Sequence, residues 1–274
     1  MQTTGLILVL AILVIVVLLS LFSILFRRKC HAAWTRVAQG PSGLDQSERL
    51  PPLVRDFAIR GGAEVGAGHL ALVLTQAAEL RLKRGDLFAR FRARQIVGLG
   101  KPGFVWQARQ GFGPLTRLRV ADVFVEGEGW LEARLFGALT VARANGVETT
   151  LGEAYRYLAE LPWAPDAILG NPDISWRMTA EDQAEAKLDT RVGTARVTFR
   201  FDAAGDIVAM EARDRPARDA AGKPVRYDWR GQFGDYRQIG ARRVPAYGEV
   251  GYDYPEGFEI YFRSRITDCQ PSRQ

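Results

Sequence analysis

Between Leu6 and Phe26 the chain runs for twenty-one residues without a charge, and eighteen of these are Leu, Ile, Val or Phe. As a helix this run covers about 30 Å, the thickness of a bilayer's hydrocarbon core. It has no polar face to turn toward water, so it is read as a membrane-spanning helix with the lipid bilayer as partner. A cleaved signal peptide fits less well. "MQTTG" has no basic side chain before the run, the run is long for a signal core, and Cys30 follows Arg27, Arg28 and Lys29 rather than small residues. The reading is therefore an uncleaved anchor over residues 1–30. Its basic flank lies on the C-terminal side, which places the soluble part in the cytoplasm by the positive-inside rule; the alternative is a periplasmic or extracytoplasmic domain.

Residues 31–50, including "QGPSGLDQSERL", have the Gly, Ser, Pro and charge of a linker. A single soluble domain is expected over 51–268, with a tail at 269–274. "LPPLVRDFAIRGG" predicts a short helix: Pro51 and Pro52 suit its first turn, Leu53, Val54, Phe57 and Ala58 form its apolar face, and Gly61-Gly62 ends it. Beyond it the hydrophobic period becomes two. Leu70, Leu72, Leu74 and Gln76 alternate with Ala71, Val73, Thr75 and Ala77; Phe104, Trp106 and Ala108 with Val105, Gln107 and Arg109. Val197, Phe199 and Phe201, and Phe258, Ile260 and Phe262, alternate with polar partners, as strands with one wet face do. Turn signals at "ANG" (144–146), "DAAGD" (202–206) and "YPEG" (254–257) favour hairpins, and ten to twelve antiparallel strands are expected.

The exception is "TLGEAYRYLAELPWAP". Thr150 and Glu153 have capping-box spacing, Leu151, Ala154, Tyr155 and Leu158 share one helical face, and Pro162 stops the run. Arg156 is spaced to pair with Glu153 or Glu160. A helix of about ten residues is marginal alone and needs a surface for its apolar stripe. The expected fold is mainly β (α+β), an antiparallel, strongly curved sheet or half-barrel around a central helix.

The segments "LPPLVRDF", "FVWQAR", "GEGWLEARLFGALTVARANGVE", "GEAYRYLAELPWAPDAIL", "ISWRM" and "VTFRFDAAGDI" resemble an uncharacterised bacterial family, a domain of unknown function, over roughly Leu50–Arg265. That family is similar in fold to periplasmic lipoprotein carriers, in which an incomplete antiparallel barrel wraps helices around an apolar cavity. The resemblance implies a half-barrel and carries over no catalytic residues. The basic flank departs from it, since it predicts a cytoplasmic domain where such carriers are periplasmic.

No nucleophile elbow, P-loop or zinc motif occurs, and His31 and His69, the two histidines, have no partners at ligand spacing, so no metal, cofactor or catalytic residue is assigned. "GLGKPG" (98–103) has Gly-x-Gly-x-x-Gly spacing, but Pro102 and a following strand make it a turn. Glu126 with Glu128, and Glu181 with Asp182, read as hairpin-end charges. From Arg81 to Arg119 there are ten Lys or Arg and one acid, with Arg90, Arg92 and Arg94 on one strand face. That face is a candidate contact for anionic lipid. Nucleic acid is disfavoured because Phe91 points away from it.

The aromatic set Trp106, Trp130, Trp163, Trp176 and Trp229, with Tyr155, is the better candidate for an apolar ligand site, and Glu160 is its candidate polar anchor. The resulting expectation is a membrane-anchored, non-enzymatic module binding a lipid or other apolar ligand. A structural or protein-interaction module at the membrane surface is the alternative, and an enzyme of unrecognised chemistry the third.

Overall fold

The computed structural model describes residues 2–64, 66–111, 116–219 and 222–272. Helix α1 (Gln2–Ala38) precedes a 3-10 turn and α2 (Pro52–Arg60). There follow β1 (Ala71–Leu80), β2 (Ala89–Gly98), β3 (Phe104–Gln110), β4 (Leu118–Val125), β5 (Glu128–Leu135) and β6 (Leu139–Asn145). Helix α3 (Val147–Ala159), a 3-10 turn at Leu161–Trp163 and α4 (Pro165–Gly170) then lead into the second half. This comprises β7 (Ile174–Ala180), β8 (Gln183–Thr190), β9 (Gly193–Phe201), β10 (Ile207–Arg218), β11 (Pro224–Ile239), β12 (Arg242–Tyr254) and β13 (Gly257–Ser272).

Among the described residues there are thirteen strands, one more than the upper end of the expected ten to twelve, and all form one antiparallel sheet in the order β6-β5-β4-β3-β2-β1-β13-β12-β11-β10-β9-β8-β7. Two up-and-down meanders are therefore joined where β1 pairs with β13, and the helical insert connects the sheet's two edges. Helix α3 touches β4 and β5 near one edge and β8, β9 and β10 near the other. On a flat sheet, with strands about 4.8 Å apart, β5 and β9 would lie roughly 43 Å from one another, far more than the ~10 Å width of a helix. The sheet must curl around α3, as a half-barrel does.

The period-two pattern sorts the side chains between two cores. Leu72, Leu74, Phe104, Trp106, Val197, Phe199 and Phe201 face inward with Leu158, Leu161 and Trp163. Ala71, Ile96, Val105, Ala121 and Val123 face outward, where Phe26, Cys30, Ala33 and Val37 of α1 cover them. Helix α2 docks by Val54, Phe57 and Ala58, with Phe57 edge-on to Phe201 and Tyr236.

Five further sequence expectations change. The linker expected from residue 31 begins as helix, because Cys30, Ala33 and Val37 extend the Phe26 stripe along the convex sheet face. Its remainder is pinned by Leu44 and Gln46 N–H donating to the carbonyls of Gly170 and Leu169. Of the expected tail, 269–272 continue β13 opposite β1, while Arg273 and Gln274 lie outside the described residues. "ANG" turns into α3 rather than a hairpin, with Gly146 as N-cap at φ +91°. Helix α3 starts before the capping-box position, so Thr150 Oγ1 accepts from Gly129 N–H at 3.0 Å instead of capping. The turns at 202–206 and 254–257 fall between strands, and "GLGKPG" closes the β2–β3 hairpin through Gly98 N–H to Gly103 C=O. Phe258 departs from the expected clean alternation and is exposed, beside a register shift at Val250/Gly251.

Candidate functional site

Two close approaches seat the helical insert. A Cβ on Gly129 of β5 would meet Thr150 Cα at 2.8 Å and Glu153 Cγ at 2.9 Å, so only glycine lets α3 lie this close. A Cβ on Gly248 of β12 would stand 2.6 Å from the Trp163 ring, which lies over that bare backbone and donates Nε1–H to the Pro245 carbonyl at 3.0 Å. Trp163 also meets Phe233 edge to face.

Between the insert and the sheet lies a cavity of about 320 Å³. Trp106, Trp163, Trp229, Phe233, Tyr252 and Phe262 are the main apolar part of its wall, and Asp122, Glu153, Arg156, Glu160 and Arg215 supply its charges. Arg156 is central. Its Nη1 donates to Asp122 at 2.5 Å and its Nε to Glu160 at 2.8 Å, while its plane lies over the Phe104 and Trp106 rings. A buried relay continues outward. Gln95 Nε2 donates to Glu160 (2.5 Å), Gln76 Nε2 to Gln95 Oε1 (2.8 Å), and Trp106 Nε1 to Gln76 Oε1 (2.8 Å). Arg215, from β10, donates to Gly152 C=O and the Tyr252 hydroxyl and stacks on Trp229, leaving its buried Nε without a partner among the described residues.

Burial raises the Glu153 carboxyl well above the usual carboxylate range, and the nearby Asp122 charge adds to it, outweighing Arg156 and Arg215. A neutral Glu153 can share its proton with Asp122. That would satisfy Glu153 Oε2 and Asp122 Oδ1, which have no other hydrogen-bond partner among the described residues. Burial alone would depress Arg156, but Glu160, Asp122 and Glu153 overcome this and raise it above its ordinary value. With Glu153 neutral, two carboxylates face two guanidiniums and the cluster balances.

A carboxyl raised on folding favours the native state below the unfolded value of 4.5 and loses that advantage as pH climbs toward its folded value. Glu153→Gln removes the proton linkage. Relative to wild type, the variant gains about 1.4 kcal/mol per pH unit above pH 4.5 until Glu153 ionises in the folded state. Chemical-denaturation series from pH 4 to pH 9 measure this; a pH-independent difference would place an ionised Glu153 in the fold.

Of the residues singled out in the sequence, Trp106, Trp163, Glu160 and Trp229 meet at this cavity. Trp176, on β7, instead packs at a tilt against Phe199 of β9, and Trp130 lies on the convex face beneath Lys29 Nζ at 3.7 Å. Tyr155 is buried but does not line the cavity. Glu160 is held by Arg156 and Gln95, so Arg215 is the charged group with an unused donor. Arg156 was legible only as a pairing partner, and Arg215 and Asp122 had no local signal. Arg90, Arg92 and Arg94 share the exposed convex face as expected, Arg90 against Glu79 and Arg94 over Trp34. Among the described residues no group of three His, Cys, Asp or Glu side chains is placed to hold a metal, and His69 is buried beside Arg242.

A curved antiparallel half-barrel closed by an internal helix, with an aromatic-walled cavity between them, defines the class. Residues 42–264 match the model of a family of unknown function, DUF6544, and the chain belongs to that family. No protein of curated function matches it in sequence. Among solved structures it is similar to a putative outer membrane lipoprotein-sorting protein domain from Vibrio parahaemolyticus, with 10% identity, TM-score 0.48 and coverage of 82% of this chain and 93% of that one. It is also similar to a LolA superfamily protein from Nitrosomonas europaea (8%, 0.43, 79% and 92%). A DUF1329 family protein from Desulfovibrio piger gives 8%, 0.38, 79% and 90%.

Proposed function

We propose that the protein is a membrane-anchored, non-enzymatic module that holds an apolar chain, a lipid or a lipidated segment, in the cavity beside α3. The carrying observation is the cavity itself: about 320 Å³, within the range of small-molecule sites, walled by Trp106, Trp163, Trp229 and Phe262, with the unused Arg215 donor buried against its wall. The aromatic wall suits an apolar body and Arg215 an anionic or carbonyl end. Helix α1 supports the anchor: Thr4–Ala38 is long and apolar enough to cross a membrane, and its side chains from Leu6 to Leu18 are exposed. The basic residues after the apolar run, Arg27, Arg28 and Lys29, favour a cytoplasmic domain, which a C-terminal reporter active only on one side of the membrane tests.

A fatty acid carrying a diazirine, added to the full chain in nanodiscs, is expected to crosslink to α3, β11 and β12. Ala217→Phe with Val250→Phe, which narrow the cavity, should abolish those crosslinks while leaving crosslinks to α1 unchanged. Crosslinks confined to α1 in the wild type would instead favour an interaction module built on the exposed edge strand β6.

A further inference from the structure

The convex face carries a second feature, separate from the cavity. Arg92, Arg109, Arg119 and Arg134 stand directly opposite one another across β2, β3, β4 and β5. Like charges directly opposite in a sheet destabilise it, so such a ladder needs a compensating partner. Arg134 has one in the protein, the buried Glu132, which also binds Lys29 and Arg143. Arg27, Arg109 and Arg119 have no carboxylate within 4 Å among the described residues. Arg109 and Arg119, with Arg92 and Arg94, line the sheet side of an open cleft of about 730 Å³, and Arg27 lines its other wall with Phe26, Cys30, His31 and Trp34 of α1. Burial and the neighbouring Arg27 and Arg109 depress the Arg119 guanidinium below its ordinary value, as in a cation site without its anion.

The cleft has a defined height relative to the apolar run. Arg134 donates to the Phe22 carbonyl and lies over the Phe26 ring. The β5–β6 turn approaches even closer to the run: a Cβ on Gly137 would meet Ser23 Oγ at 2.8 Å and Arg119 Cδ at 3.0 Å. This turn exposes Leu135, Phe136 and Leu139, with Phe136 58% exposed. Arginines and exposed apolar side chains thus sit side by side at the level of Phe22–Phe26, where the apolar run ends. An apolar hairpin tip beside a basic cleft is the arrangement of a surface that meets phosphates and acyl chains together.

We propose that this convex surface docks on an anionic phospholipid bilayer, the Arg27/Arg109/Arg119 cleft taking lipid phosphates and the Leu135–Leu139 hairpin entering the acyl layer beside α1. The proposal rests on α1 being a membrane anchor. Both native cysteines are buried, so single exposed cysteines can be spin-labelled on the full chain in nanodiscs. Labels at Phe136→Cys, Leu13→Cys and Ala204→Cys compare the hairpin, the mid-anchor and the distant β9–β10 turn. In discs containing phosphatidylglycerol, the label at 136 is expected to match that at 13 in favouring oxygen over a water-soluble nickel chelate as collision partner, and the label at 204 to show the reverse. Native mass spectrometry of the detergent-released chain should show preferential retention of phosphatidylglycerol over phosphatidylcholine. Arg109→Gln with Arg119→Gln should lower that preference about thirtyfold, near-surface arginines being worth about 1 kcal/mol each. A lipid-exposed label at 13 with a water-exposed label at 136 overturns the docking surface and leaves the anchor standing. A water-exposed label at 13 overturns both, and an unchanged lipid preference in the double variant overturns the cleft's role.

Discussion

Arg156→Met should destabilise the protein by about 3–5 kcal/mol, the cost of breaking a buried ion cluster by removing one partner. For a domain of this size that lowers the melting temperature by roughly 6–20 °C. Arg156 holds Asp122 from β4 and Glu160 from its own helix, and both carboxylates are nearly buried. Without the guanidinium Asp122 loses its hydrogen-bond donor and Glu160 keeps Gln95 alone, so two nearly buried carboxylates stand without a counter-ion beside Glu153. Asp122→Asn with Glu160→Gln in the Arg156→Met background should restore most of the loss, because the penalty comes from stranded charge rather than from lost packing. Thermal melts of the full chain in nanodiscs measure all three. A change below about 1 kcal/mol for Arg156→Met would mean that water reaches the cluster, which is then no longer a dry cavity wall.

The second large effect is at the far end of the insert. Arg242 of β12 and Asp166 of α4 form a two-pronged pair, Nε and Nη2 each donating at 2.8 Å, and both side chains are only 2% exposed. Asp166 Oδ1 also accepts the Glu64 backbone N–H, so this carboxylate ties the insert, the segment before β1 and the β11–β12 end together. Asp166→Ala leaves Arg242 with the half-exposed Glu64 at 3.6 Å as its remaining acid. The expected loss is about 3–4 kcal/mol. Adding Arg242→Met should recover a large part of it, since two apolar side chains tolerate the interior better than one unpaired charge. Equal melting temperatures for Asp166→Ala and wild type would show that the pair is not what locks α4 down.

These two clusters mark where sequence reading stops. The alternation Phe104-Trp106-Ala108 identified a strand and its inward face, but not that Trp106 hands its N–H to Gln76 two strands away, nor that Gln76 passes the contact through Gln95 to Glu160. Trp163 was legible only as one of an aromatic set just after the Pro162 stop; Gly248, eighty-five positions on, leaves the space for its ring. Trp130 and Trp176 have the same composition signal as Trp106 yet point elsewhere. Alternation tells which side of a strand a residue occupies, not which strands converge on one space. Arg215 carried no signal because its partners, Gly152 and Tyr252, belong to distant parts of the chain.

By itself the sequence determined the features with short-range causes. These are the apolar run of α1, the helix of 52–60 bracketed by Pro51-Pro52 and Gly61-Gly62, the two-residue period of the strands and the helix that stops short of Pro162. Each follows from backbone sterics or from the local sorting of apolar and polar side chains, which a few neighbouring residues decide. Only the tertiary structure decided that β1 pairs with β13 and so joins the two meanders, that α1 continues onto the convex face, and that the charges divide into a balanced inner cluster and an arginine ladder outside. Those outcomes depend on contacts between different elements, from neighbouring strands in the arginine ladder to Ala71 opposite Ser272 at the β1–β13 seam. Their energies come from burial and from Coulomb pairs that exist only once the sheet has curled around α3.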